Sequence, residues 1–259
     1  MKKLSFYLGA LLGLFTLLAC EPSSKKLRVG VTAGPHAIIM EKVKTLAETK
    51  DLAIEIIEFN DFILPNEALS QGELDINSFQ HQPYLDEQIK SRGYTLTAVA
   101  KTVVMPLGIY SVTFKRLEEL PSNARILIPN DPTNEGRSLK LLEKFGLITL
   151  KPSPNPSVLD IKTNPKNCQM ITLEAPHIPR ALKDADAGLI NTDWVLLAGL
   201  DPSLALAHED KDSPYANILV VKKGQENEPR VQKLVQIYQS DEVKRFIEET
   251  FKGAVIPAW

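Results

Sequence analysis

Four short stretches carry residue types that could hold a small zwitterion. In Pro129-Asn130-Asp131-Pro132-Thr133-Asn134-Glu135-Gly136-Arg137, a strand end runs into a helix start. Thr133 or Asn134 is suited to cap that helix. Its first turn offers free N–H groups and the positive end of a dipole to an anion. Arg137, in the same turn, can hold a carboxylate through two parallel hydrogen bonds; a solvated surface arginine is the plainer account. In Asn77-Ser78-Phe79-Gln80-His81-Gln82-Pro83-Tyr84-Leu85, Phe79 and His81 lie two apart and so share one face of a strand. With Tyr84 they could enclose an apolar or thioether side chain, where sulfur–aromatic contact adds about 0.3–1.5 kcal/mol. The same rings could equally fill a core. Asn191 and Asn217 each stand beside an apolar strand. An amide there accepts from an ammonium and donates to a carboxylate, or caps a turn. Together the stretches supply a carboxylate grip, amine acceptors and an apolar slot, which is what a free amino acid requires.

The elements that must position these residues follow from periodicity. Short strands are expected at 27–31, 52–59 and 75–79, with helices at 36–47, 64–70 and 84–91 between and after them. Gly30 and Gly34 turn the chain from strand to helix. Residues 94–104 are strand-like, and the alternation then restarts. Strands are expected at 125–128, 170–173, 187–190 and 216–221, with helices at 133–145 and 178–183. The first of these helices turns Leu139, Leu142 and Phe145 inward and stops at Gly146. Helices at 229–239 and 241–251 end the chain. Alternating strands and helices imply sheets with parallel members and helices on both faces. The expected architecture is α/β: residues 27–107 plus 217–259 form one lobe, 108–216 the other, and a ligand cleft lies between them.

Composition narrows the classes of function. The apolar fraction is 44%, normal for a globular protein. The net charge is −2, and no basic block suits nucleic acid. The four histidines, His36, His81, His177 and His208, are scattered without metal-ligand spacing, and no nucleophile elbow or phosphate loop occurs. The expectation is no metal, no cofactor and no enzymatic activity. The N-terminus has the order of an export signal: Lys2 and Lys3, an apolar run from Leu4 to Leu18, then Ala19. That run is too short to span a bilayer well, which takes about 20 apolar residues. Leu17-Leu18-Ala19-Cys20 resembles the lipobox of bacterial lipoproteins, in which the signal is cut before a lipidated, palmitate-bearing cysteine. Residues 1–19 are then the signal peptide and 20–26 a lipidated tether. Lipid on Cys20 leaves Cys168 without a partner, as a partly buried structural thiol.

The mature chain resembles the MetQ/NlpA family of methionine-binding lipoproteins. The residues that carry the resemblance include Phe59-Asn60-Asp61-Phe62, Leu64-Pro65-Asn66-Glu67-Ala68-Leu69 and Phe79-Gln80-His81. Pro83-Tyr84-Leu85, Pro129 to Asn134, Gly136-Arg137-Ser138-Leu139, Leu173-Glu174-Ala175-Pro176, Ile190-Asn191-Thr192 and Ser213-Pro214-Tyr215 match as well. The resemblance implies a type II periplasmic-binding-protein fold with a hinge. It implies that Arg137 holds a methionine carboxylate, and that Asn191 and Asn217 hold its amine and carboxylate. Phe79, His81 and Tyr84 would line the side-chain slot, with Phe62 standing where many members carry tyrosine. The implied ligand is L-methionine, with D-methionine a second candidate. The implied partners are an ABC permease and its ATPase, and the implied location is the cell envelope, facing the periplasm or the outside of the cytoplasmic membrane. Two other readings fit the same residues: a binder of another amino acid or a short methionine peptide, and a surface lipoprotein acting as adhesin or antigen.

Overall fold

The computed structural model describes residues 26–210 and 213–259. The expected signal peptide, residues 1–19, and Cys20 lie outside the described residues. The chain opens with β1 (Leu27–Thr32), α1 (Pro35–Glu48), β2 (Ile54–Phe59), α2 (Leu64–Gln71), β3 (Ile76–His81), α3 (Gln82–Arg92) and β4 (Leu96–Lys101). A short β5 (Val103–Val104) follows, and then a second unit: β6 (Gly108–Tyr110), β7 (Arg125–Pro129), α4 (Pro132–Lys144), β8 (Thr149–Leu150) and β9 (Ile161–Thr163). That unit continues through β10 (Gln169–Leu173), α5 (Ile178–Ala181), β11 (Ala187–Ile190), α6 (Thr192–Leu197) and β12 (Ala207–His208). The chain returns as β13 (Asn217–Lys222), α7 (Pro229–Tyr238), α8 (Asp241–Phe251) and β14 (Ile256–Pro257).

Two five-stranded sheets result. One has the order β2-β1-β3-β13-β4, the other β10-β7-β11-β6-β12. In the first, β1 pairs in parallel with β2 and β3, while β13 runs antiparallel between β3 and β4. Leu27, Val29 and Val31 of β1 share one face of the strand and are fully buried, because α1 and α7 cover that face. The first sheet packs Val29 and Val31 with Ile39, Met40 and Val43 of α1 and with Leu234 and Ile237 of α7. The second has its own core of Ile109, Ile126, Ile128, Leu139, Leu142 and Leu189. Cys168 is buried in this second core, and burial pushes its thiol pKa up.

Two glycines are required by geometry. Gly34 caps α1 at φ 91°, a left-handed turn that a side chain would strain. Gly30 lies inside β1, where a Cβ would stand 2.4 Å from Leu74 Cδ1. It serves close packing, not the turn expected of it.

Several expectations need correction. The helix at 132–144 is capped by Asp131, not by Thr133 or Asn134; Asp131 Oδ1 accepts from the Asn134 backbone N–H at 2.9 Å. Pro132 occupies the first helical position, where its missing N–H costs nothing, so the cap falls one residue before it. Phe145 is 41% exposed instead of inward. The helix stops at Lys144, and Phe145 leaves the buried face as the chain turns at Gly146 (φ 74°); Leu141 is buried there instead. The stretch 94–104 is two strands. Thr102 separates them, its N–H donating to Asn217 O, and β5 pairs with β14 outside both large sheets.

Candidate functional site

The chain leaves the first sheet after Lys101 and enters the second at Gly108; it leaves the second after His208 and rejoins the first at Asn217. A narrow cavity with about 30 Å³ of room for water opens beside these crossings. Its lining brings together all seven residues singled out in the sequence: Phe62, Phe79, His81, Tyr84, Arg137, Asn191 and Asn217. It adds Asn134, Asp193 and Tyr215, among others, that sequence reasoning had not assigned.

One end of the cavity is aromatic. Phe62 stands with its ring centre 6.2 Å from Phe79, 6.1 Å from Tyr84 and 5.2 Å from Trp194. Asp61 fixes Phe62 by accepting the backbone N–H groups of Ile63 and Leu64 at 2.7 and 2.8 Å, a local turn that starts α2. Tyr84 Oη donates to the Phe62 carbonyl at 2.7 Å, so the tyrosine holds the slot's rim as well as lining it. Trp194 was missed by sequence reasoning. Its only signal was an indole three residues after Asn191 in an unrecognised short helix.

The other end is polar and wired. His81 caps α3: its Nδ1 accepts the Tyr84 N–H at 3.1 Å, which places the ring proton on Nε2. That Nε2 lies 3.3 Å from Asn134 Oδ1, which also accepts from Asn191 Nδ2 at 3.0 Å. Asn134 Nδ2 donates in turn to both carboxylate oxygens of Asp131. The helix cap thus orients the amide that orients His81 and Asn191. Burial, with help from the Arg137 charge, lowers the His81 pKa to about 3, so the ring is neutral. Asn217 opens β13 opposite His81, with Nδ2 3.4 Å from His36 Nε2.

Arg137 is 4% exposed, so it is no solvated arginine. Its two-pronged edge is already engaged. Nε donates to Glu209 Oε1 at 2.8 Å and Nη2 to Glu209 Oε2 at 2.5 Å, while Nη2 also reaches the Met105 carbonyl at 3.0 Å. The guanidinium lies 4.3 Å from the centre of the Tyr215 ring. Glu209 further accepts the Leu107 N–H at 3.0 Å. The pair therefore ties α4 to both crossings. The parallel fork expected for a ligand is made to Glu209, which leaves Nη1, among the described residues, as the guanidinium nitrogen without a protein acceptor.

A molecule of two α/β sheet units, with a polar and aromatic cavity beside two chain crossings, is a solute-binding protein of the type II periplasmic fold. The chain belongs to the NlpA lipoprotein family, whose model matches residues 27–259. It is 45% identical over 260 residues to the D-methionine-binding lipoprotein MetQ of Escherichia coli K12, covering 97% of this chain and 96% of that one. A nutrient binding protein from Burkholderia cenocepacia, solved bound to methionine, superposes with a TM-score of 0.88 at 45% identity. The match covers 90% of this chain and all of that one. An ABC transporter periplasmic substrate-binding protein from Coxiella burnetii gives 0.87 at 43%, covering 90% of this chain and all of that one. Among the described residues, no helix is long and apolar enough to cross a membrane.

Proposed function

We propose that this protein captures free methionine between its two lobes and hands it to an ABC permease and its ATPase, while lipid on Cys20 leashes it to the membrane. In this reading the lobes are 27–107 with 217–259, and 108–216. The cavity's two-ended chemistry carries the proposal: an aromatic slot of Phe62, Phe79 and Tyr84, with Trp194 packed against Phe62, accompanies a polar end of Arg137, Asn191 and Asn217. The slot takes the thioether. Arg137 Nη1 meets the carboxylate, and the asparagines serve the amine and carboxylate. The chain performs no chemistry on its cargo. Ligand binds one lobe first, and closure is favoured only by contacts that the closed form alone makes.

The relatives' names support a methionine ligand over another amino acid or a peptide. Arg137, buried and not facing solvent, argues against a lipoprotein that keeps the fold without a ligand. Native mass spectrometry of the protein as purified tests the proposal. A bound species with the mass of methionine is expected. A bound species of another mass, or a ligand-free protein whose melting temperature methionine does not raise, counts against it.

A further inference from the structure

Asp193 lines the cavity and has no role in the scheme above. It is 4% exposed, and its carboxylate is served only by backbone N–H groups: that of Trp194, at 3.0 Å from Oδ1, and its own. Among the described residues no side chain donates to it. The charged group with the strongest influence on it is Arg137, whose guanidinium is paired with Glu209. Two residues earlier, Asn191 presents a second acceptor: its Oδ1 is buried without any hydrogen-bond partner, while its Nδ2 is fixed on Asn134. One unmet acceptor, Asn191 Oδ1, and a carboxylate with no side-chain donor among the described residues therefore line one cavity. A buried acceptor without a donor is costly, and where it lines a cavity a ligand's donor can meet that cost. The complement is a group with several N–H donors and a positive charge.

We propose that Asp193 is the charged acceptor for the α-ammonium group of the bound amino acid, working beside Asn191 Oδ1. This rests on the reading of the cleft as an amino-acid site and adds to it the residue that selects for a free amine. An ammonium offers three donors, enough for Asp193 and Asn191 Oδ1 together. It also supplies the countercharge that an ionised Asp193 lacks. The carboxylate end of the ligand is then left to Arg137 Nη1, so the two charges of the zwitterion are read by different residues. Burial raises the Asp193 pKa to about 7 in the empty protein, which accords with a carboxylate awaiting a cation.

The test is a cycle of two proteins and two ligands: wild type and Asp193→Asn, against L-methionine and its deamino analogue 4-(methylthio)butanoate. Asn keeps the side-chain acceptor for the Trp194 N–H and nearly the same volume. Methionine affinity is expected to fall by about tenfold or more in the variant, the size of a lost charge-assisted hydrogen bond. Affinity for the analogue should change by less than about threefold, within the scatter of a neutral substitution. An equal loss for both ligands, or no loss for either, overturns the assignment. Asp193→Thr is read in the same way should the Asn variant not fold. A wild type that binds neither ligand overturns the amino-acid reading itself, and the assignment with it.

Discussion

At the scale of single residues, the cavity is set by buried charges whose partners lie far away in sequence. Arg137 and Glu209 are 72 residues apart, and their pair is buried. Removing one partner of such a pair strands the other. Arg137→Ala is therefore expected to cost about 3–5 kcal/mol of stability, read by urea denaturation. Joining it to Glu209→Gln should restore much of that stability without restoring methionine binding. Equal stability of the single and double variants would contradict the pairing. Asp193 has a pH signature of its own. Its folded pKa, about 7, is raised above the unfolded value near 3.8. The folded state therefore holds a proton across that window that the unfolded state has lost, and stability from this group declines as pH rises from about 4 to about 7. His36 and His81 act the opposite way. Burial lowers both to about 3, so their contribution is lost as pH falls below the unfolded value near 6.5. The difference between wild type and Asp193→Asn isolates the aspartate: the stability gap should change across pH 4–7 and be flat above about 8. Arg137 was legible in the sequence because a helix start and an arginine stand together. Glu209 and Asp193 were not, since no local pattern says which carboxylate a fold will bury.

At the scale of elements, helix starts do most of the positioning. Asp131 caps α4 and also holds the Asn134 amide. Asp131→Ala is expected to cost about 1 kcal/mol as a lost cap. Beyond that, it should weaken methionine binding several-fold by releasing Asn134 from its orientation. A stability loss with unchanged affinity, measured by calorimetry, would show that Asn134 is held by something else. The strand-to-helix junctions at Phe79–Tyr84 and Pro129–Arg137 were visible in the sequence because periodicity switches there and proline marks the first turn. The short α6 was not, since six residues carry too little period to separate a helix from a strand's continuation, and Trp194 was lost with it. Phe145 misled for a related reason: its spacing fits the helix face, but the backbone turns away before the residue reaches it.

At the scale of the whole molecule, the two sheets and the crossings between them explain how a small solute can be enclosed and released. The broad α/β alternation announced this arrangement, and the family resemblance named it. What periodicity could not give was how the crossings are tied, because those ties are made by Glu209 to Leu107 and Arg137, and by Thr192 to the Pro106 carbonyl. A ligand that binds only the folded state adds stability as its concentration exceeds Kd, about 4 kcal/mol at a thousandfold excess. Methionine should therefore raise the melting temperature strongly, and small-angle scattering should show a smaller radius of gyration on saturation. An unchanged radius with tight binding would contradict closure. The most direct measurement of the central claim is titration calorimetry of L-methionine into protein freed of bound ligand by unfolding and refolding. The account predicts one site per chain and saturable heat for methionine, with none for alanine or glutamate at the same concentrations. No heat with methionine, alongside saturable binding of a solute that lacks a thioether, would contradict it.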